Sequence, residues 1–169
     1  MTRILGIDPG SVIMGYAIIE HGRDRLRYIA SGCLRLPAGA LPQRLHNIYT
    51  EIGQLILQHQ PDEAAVEEVF VSQNVASAIK LGHARGAAIC AAAAAGLEVH
   101  EYSPAVIKQS VVGHGRADKI QVQHMVKVLL GLQGRLQADA ADALAVAICH
   151  AHSHSRQRLV ALPVRRGRR

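Results

Sequence analysis

The stretch RILGIDPGS, residues 3–11, sets the reading of everything that follows it. Its first six residues are largely apolar and partly β-branched, end in Asp8, and are broken by Pro9-Gly10-Ser11. Residues 14–20 then resume in the same character, which is the pattern of two strands joined by a turn with an acid at the bend. Residues 26–36 alternate weakly and extend the hairpin by a third antiparallel strand, stopped at Pro37-Ala38-Gly39-Ala40. Over residues 41–58 the apolar positions Leu41, Leu45, Ile48, Ile52, Leu55 and Ile56 recur every three or four residues, the period of an amphipathic helix.

Beyond that helix the character changes. Residues 64–70 form a compact apolar run interrupted only by Glu67 and Glu68, so a buried strand carries charge where charge is costly. Residues 74–95 form a long Ala-rich helix and residues 97–102 return to strand, which together make a parallel crossover unit. Pro104 suits the first turn of a helix, residues 117–130 repeat with helical spacing, and residues 137–150 are rich in Ala and Leu with acids on one side. The expected fold is α/β: a mixed sheet of three antiparallel strands and then parallel ones, flanked by helices. There is no internal repeat. Gly113-His114-Gly115-Arg116 reads as a mobile loop.

At 169 residues and 49% hydrophobic content the chain suits one domain with a sizeable core. The formal charge of +6 looks like a nucleic-acid footprint, but it is concentrated. Residues 156–169 hold six arginines and no acid, so the preceding 155 residues are balanced. We therefore expect a domain over residues 1–155 and a basic, disordered tail over 156–169 that adds salt-sensitive DNA affinity. Cys33, Cys90 and Cys149 are odd in number, lack C-x-x-C spacing and sit in apolar sequence, which suggests buried thiols in a reducing, cytoplasmic setting. No secretory signal or membrane-length apolar run is visible.

The chemistry is carried by acids. Asp139 and Asp142 are three apart in a helical segment and project from one face, so they can share a metal. Asp8 ends a strand, and Glu67 lies where an acid is rarely decoration, although period two puts Glu67 and Glu68 on opposite faces without saying which points inward. Four carboxylates in one pocket repel one another unless hard cations neutralise them, and two magnesium ions, with manganese as a substitute, are the natural choice. Each acid also has a plain alternative: Asp8 as a turn residue, and the helical pair as a solvated face. His150 and His154 are spaced to meet on a helix, with His152 between them, but no further soft ligand lies nearby in sequence, so zinc is not expected there.

GIDPGS (6–11) with Gly15-Tyr16, VEEVF (66–70), KLGxARG (80–86) and QADAADALA (137–145), taken together in this order and spacing, resemble the RuvC family of Holliday-junction resolvases. The resemblance runs from residue 3 to about residue 152. It implies a ribonuclease-H-like nuclease domain, a homodimer, and paired symmetric nicks across a four-way DNA junction using magnesium. It also assigns the family's four acids to Asp8, Glu67, Asp139 and Asp142, and so chooses Glu67 over Glu68. Phe70, the chain's one phenylalanine, matches an aromatic thought to stack on an unpaired base near the crossover, whose alternative is core packing. Lys108 and Lys119 match lysines near the scissile phosphate. Lys80 and Arg85, on the Ala-rich helix, are weaker candidates for phosphate contacts. That helix, with Ala76, Ala78, Ala84, Ala87, Ala88 and the alanines at 91–95, implies close approach of a second helix in the dimer. The RuvA–RuvB branch-migration complex is a further implied partner.

Two rival readings remain at this level. An actin-like or sugar-kinase-like ATPase also opens on a D-x-G turn, but it needs a second lobe for which this chain has no room. A junction-binding protein without catalysis would have no reason to keep all four acids.

Overall fold

The computed structural model describes residues 1–22, 25–69 and 74–160. Its elements in chain order are β1 (Thr2–Asp8), β2 (Ile13–His21), β3 (Leu26–Arg35), α1 (Leu41–His59), β4 (Glu63–Glu67), α2 (Val75–Ala94), β5 (Glu98–Tyr102), α3 (Pro104–Val112), α4 (Lys119–Leu130) and α5 (Ala138–Val160). The five strands form one sheet in the order β3-β2-β1-β4-β5, antiparallel across the first three and parallel from β1 onward. This is the expected mixed α/β sheet with helices around it.

Alternation along the strands divides the interior into two layers. Ile4, Ala17, Ile19 and Ala65 point to one face, where they meet α5 and, behind it, α3 and α4. Leu5, Ile7, Met14, Ile18, Ala64 and Val66 point to the other, onto Ile48 and Ile52 of α1 and the alanines of α2. Of the helices, α5 has the most buried sequence, with residues 143–151 almost fully enclosed. It lies unusually close to the sheet because Gly6 and Gly15 have no side chains there. A Cβ on Gly6 would stand 2.8 Å from Ala147 Cβ, and one on Gly15 would stand 2.6 Å from the Asp139 carbonyl carbon. Both lie inside van der Waals contact, so glycine at these positions sets how near the helix can come.

Several expectations need adjustment. The strand expected over 64–70 stops at Glu67, where its last rung is the Glu68 N–H donating to the Tyr102 carbonyl. Glu67 is thus at a strand end rather than inside a strand. The helix expected from residue 117 starts at Lys119, because Asp118 and Gln121 form a reciprocal capping box. Residues 113–116 lie in the connection ahead of that cap, with Gly113 closing α3 in the left-handed conformation. Helix α5 continues to Val160, five residues into the segment read as tail, and residues 161–169 lie outside the described residues. Of the three cysteines, none of them in a disulfide, only Cys149 is buried; Cys33 is half-buried and Cys90 is exposed, because the apolar sequence around Cys90 is a helix with one open face. Among the described residues no helix is long and apolar enough to cross a membrane.

Candidate active site

The register of β1 and β4 brings the first two acids together. Ile7 pairs with Val66 in parallel alignment, so Asp8 and Glu67 are the next step on adjacent strands, at their C-terminal ends. Both continue the series that faces α5, Ile4-Gly6-Asp8 on β1 and Glu63-Ala65-Glu67 on β4. The fold itself therefore points Glu67 toward α5. The start of α5, drawn in over Gly15, supplies Asp139 and, one turn on, Asp142. Carboxylate oxygens of Asp8, Asp139 and Asp142 lie within 4.8 Å of one another, and the Asp8 and Glu67 side chains are hydrogen-bonded.

The electrostatic cost is visible in Asp8. Burial, then the charges of Glu67 and Asp142, the hydrogen bond with Glu67 and the charge of Asp139 push its carboxyl up to about 8. Burial also raises Glu67, as does the charge of Asp142, whereas its bond with Asp8 and the charges of Lys108 and Lys119 pull it down. The two carboxyls share that hydrogen bond, and burial together with the neighbouring negative charge favours the protonated form of Asp8. Lys119 Nζ stands 2.6 Å from Asp142 Oδ2, and that bond holds the ammonium in its charged form. An all-oxygen donor set with surplus negative charge, further favoured by the positive end of α5, is the chemistry that hard divalent cations require.

Glu67, Lys108, Lys119 and Asp142 line a cleft of about 270 Å³ with Ile107 and Val122 at its apolar wall. The two lysines thus share the acids' pocket although α3 and α4 carry them. Arg85 is engaged elsewhere: it donates through Nε to the Glu67 carbonyl at 3.0 Å and pairs with Glu101. It braces the strand end that carries Glu67, and a phosphate contact would have to compete with both partners. Lys80 is exposed on α2, in a groove with Arg44 and His83. Phe70 lies outside the described residues.

Two groups were missed by sequence reasoning. Arg35 and Arg135 line a groove of about 750 Å³ that runs up to Asp139, and nothing in their spacing connects them. Glu63 and His100 join His150 and His154 in a cluster whose donor atoms lie within 4.8 Å of one another. The further ligands that sequence proximity could not supply come from β4 and β5, which the sheet folds beneath α5. His152 faces away, its Nδ1 3.1 Å from the Ser110 carbonyl oxygen.

The family model described as "Crossover junction endodeoxyribonuclease RuvC" matches residues 4–150. Among relatives of that description, one from Alkalilimnicola ehrlichii is 57% identical over 145 residues, 86% of this chain and 88% of its own length. Another, from Chromohalobacter salexigens, is 54% identical over 168 residues, 99% of this chain and 89% of its own. Thermus thermophilus RuvC, solved in complex with a Holliday junction substrate, superposes with a TM-score of 0.87 at 31% identity, covering 93% of this chain and 97% of its own.

Proposed function

Because the chain belongs to the RuvC family of crossover junction endodeoxyribonucleases, we propose that its four acids are the catalytic ligands of a magnesium-dependent junction resolvase, acting as a homodimer. The chain is a metal-dependent hydrolytic nuclease that resolves Holliday junctions in DNA recombination and repair. The observation that carries the site assignment is the convergence of Asp8, Glu67, Asp139 and Asp142 from two strand ends and one helix start.

Two magnesium ions would activate a water on one side of the phosphodiester and stabilise the leaving 3′ oxygen on the other. Asp8, between Glu67 and the α5 pair, and the two helical aspartates would hold them, with Glu67 completing the set. To ligate, Asp8 gives up the proton that it shares with Glu67. Lys119 and Lys108 face the phosphate from the cleft wall, where fixed ammonium groups offset the charge that grows as the bond breaks. Arg85 holds the Glu67 carbonyl and so orients the strand end, a positioning role. Arg35 and Arg135 extend a basic path away from Asp139 for the phosphate backbone. Lys80 contacts phosphate farther out, and Phe70 stacks on a base near the crossover.

The dimer uses the open face of α2. Ala84, Ala88, Ala91 and Ala92 are buried within the chain, so the alanine stripe largely serves the chain's own core. Ile79, Gly82, Gly86, Cys90 and Ala93 follow one another at helical spacing on the outer side, and a Cβ on either glycine would meet nothing within 4 Å. That is room for a second helix to lie close. Two such subunits present two active sites to two strands of a nearly two-fold junction. A cytoplasmic setting and a branch-migration partner of the RuvA–RuvB kind fit this role.

The test is cleavage of a synthetic four-way junction with and without magnesium. Asp8→Asn, Glu67→Gln, Asp139→Asn and Asp142→Asn are each expected to abolish nicking while metal-free junction binding persists. Loss of binding in step with cutting would make the acids structural instead.

A further inference from the structure

At the end of β4 opposite Glu67 lies a second cluster that the nuclease chemistry does not use. Glu63 opens the strand four residues earlier, roughly 13 Å away at strand rise. His100 stands on the neighbouring strand β5 beside Ala65, whose small side chain leaves room above the sheet. His150 and His154, one turn apart on α5, close over them. Glu63 Oε2 is the hub: His150 Nε2 is 2.6 Å away and His154 Nε2 is 3.3 Å away. The His100 ring centroid is 4.5 Å from that of His150, and its Nε2 is buried without a hydrogen bond, 3.5 Å from Glu98 Oε1. His150 is fully buried, and its other nitrogen, Nδ1, meets the Tyr102 hydroxyl at 2.7 Å.

We propose that Glu63, His100, His150 and His154 form a structural site for a zinc-class divalent ion, which clips α5 to β4 and β5 at the end of the sheet away from the catalytic acids. Three imidazoles and one carboxylate are a donor set that borderline-soft ions prefer over magnesium. In a tetrahedral site with bonds of 2.0–2.1 Å, neighbouring donor atoms stand about 3.3 Å apart. The Glu63–His154 pair already has that separation, and the Glu63–His150 pair opens by about 0.7 Å as the proton between them leaves and the ion takes its place. Tyr102 can serve both states. Its hydroxyl donates to Nδ1 when the His150 proton is on Nε2, and it accepts from Nδ1–H when Nε2 is a ligand, which is the outer-shell hydrogen bond that orients metal-bound imidazoles. His100 and His154 remain partly open to solvent and give the ion a way in. Four protein ligands leave no vacant position for substrate, so the role is structural.

Cobalt(II) is the probe, added to the metal-stripped full chain, because tetrahedral nitrogen-rich coordination gives intense visible absorption and an octahedral carboxylate site does not. We expect one equivalent of such cobalt per chain, displaced by zinc, and a higher melting temperature with either ion. Asp139→Asn keeps the band. Replacing both partly exposed ligands, His100→Ala with His154→Ala, removes it and weakens binding at least 100-fold. Tyr102→Phe weakens it about 10- to 100-fold. Absence of the band in the parent chain overturns the proposal, as does a band that Asp139→Asn abolishes and the double histidine variant retains. Junction cleavage in magnesium is read separately, so failure of this site leaves the nuclease assignment standing.

Discussion

At the scale of single residues, Asp8 is heavily perturbed, and its perturbation can be measured. Burial and the neighbouring acids push its folded carboxyl up to about 8 from 3.8. Below about pH 4 both folded and unfolded chains hold the proton, and above about pH 8 neither does. Between those limits the folded chain keeps a proton that the unfolded chain has released, so metal-free stability falls as pH rises. In chelator, the melting temperature is expected to drop from pH 5 to pH 8, and Asp8→Asn, whose amide can still donate to Glu67, is expected to flatten that slope and melt above the parent at pH 8. Parallel curves for the two proteins would show that the acids do not crowd one another. Ligation by Asp8 requires the same proton to leave, so magnesium affinity is expected to rise over this window, readable by calorimetry at a series of pH values. Glu20 shows the opposite case. It is buried, but Arg3 and Arg27 each bond one of its oxygens, so its carboxyl is held below the usual range and stays charged.

At the scale of elements, the distance between α5 and the sheet decides where two of the four acids stand. Gly15→Ala would drive a methyl group into the Asp139 backbone and push the start of α5 outward. Crowding of this kind costs about 1–3 kcal/mol, and a displacement near 1 Å costs activity on the order of 100-fold. The expected outcome is a folded protein, modestly lower in melting temperature, whose junction cleavage falls far more than its junction binding. Full activity in Gly15→Ala would mean that the helix can shift without carrying Asp139 along. The elements were largely legible beforehand because period two and period 3.6 are written in apolar spacing, and the motif order located the acids. The ends were less legible. The strand over 64–70 stops early because its last rung is the bond from Glu68 to Tyr102, 34 positions on, and no local pattern contains that bond.

At the scale of the whole molecule, the outer face of α2 is tested by residues that fill it without touching the chain's own core. Gly82→Arg and Gly86→Arg place side chains in open space and replace glycine within a helix, so the monomer is expected to be unchanged or more stable, by roughly 0.5–1 kcal/mol each. If the dimer lies there, sedimentation will show monomers, and paired cuts will give way to single nicks. A variant that stays dimeric moves the interface elsewhere. By itself, the sequence determined the strand and helix order and the family, and it singled out the four acids proposed as the site, because these follow from local periodicity and from motifs contained in short segments. Only the tertiary structure decided that Glu67 faces α5, that Arg85 braces a strand end, that Cys90 is exposed, and that Glu63 and His100 meet His150 and His154. These are relations between residues far apart in the chain, set by strand register and by how closely one helix can approach a sheet through two glycines.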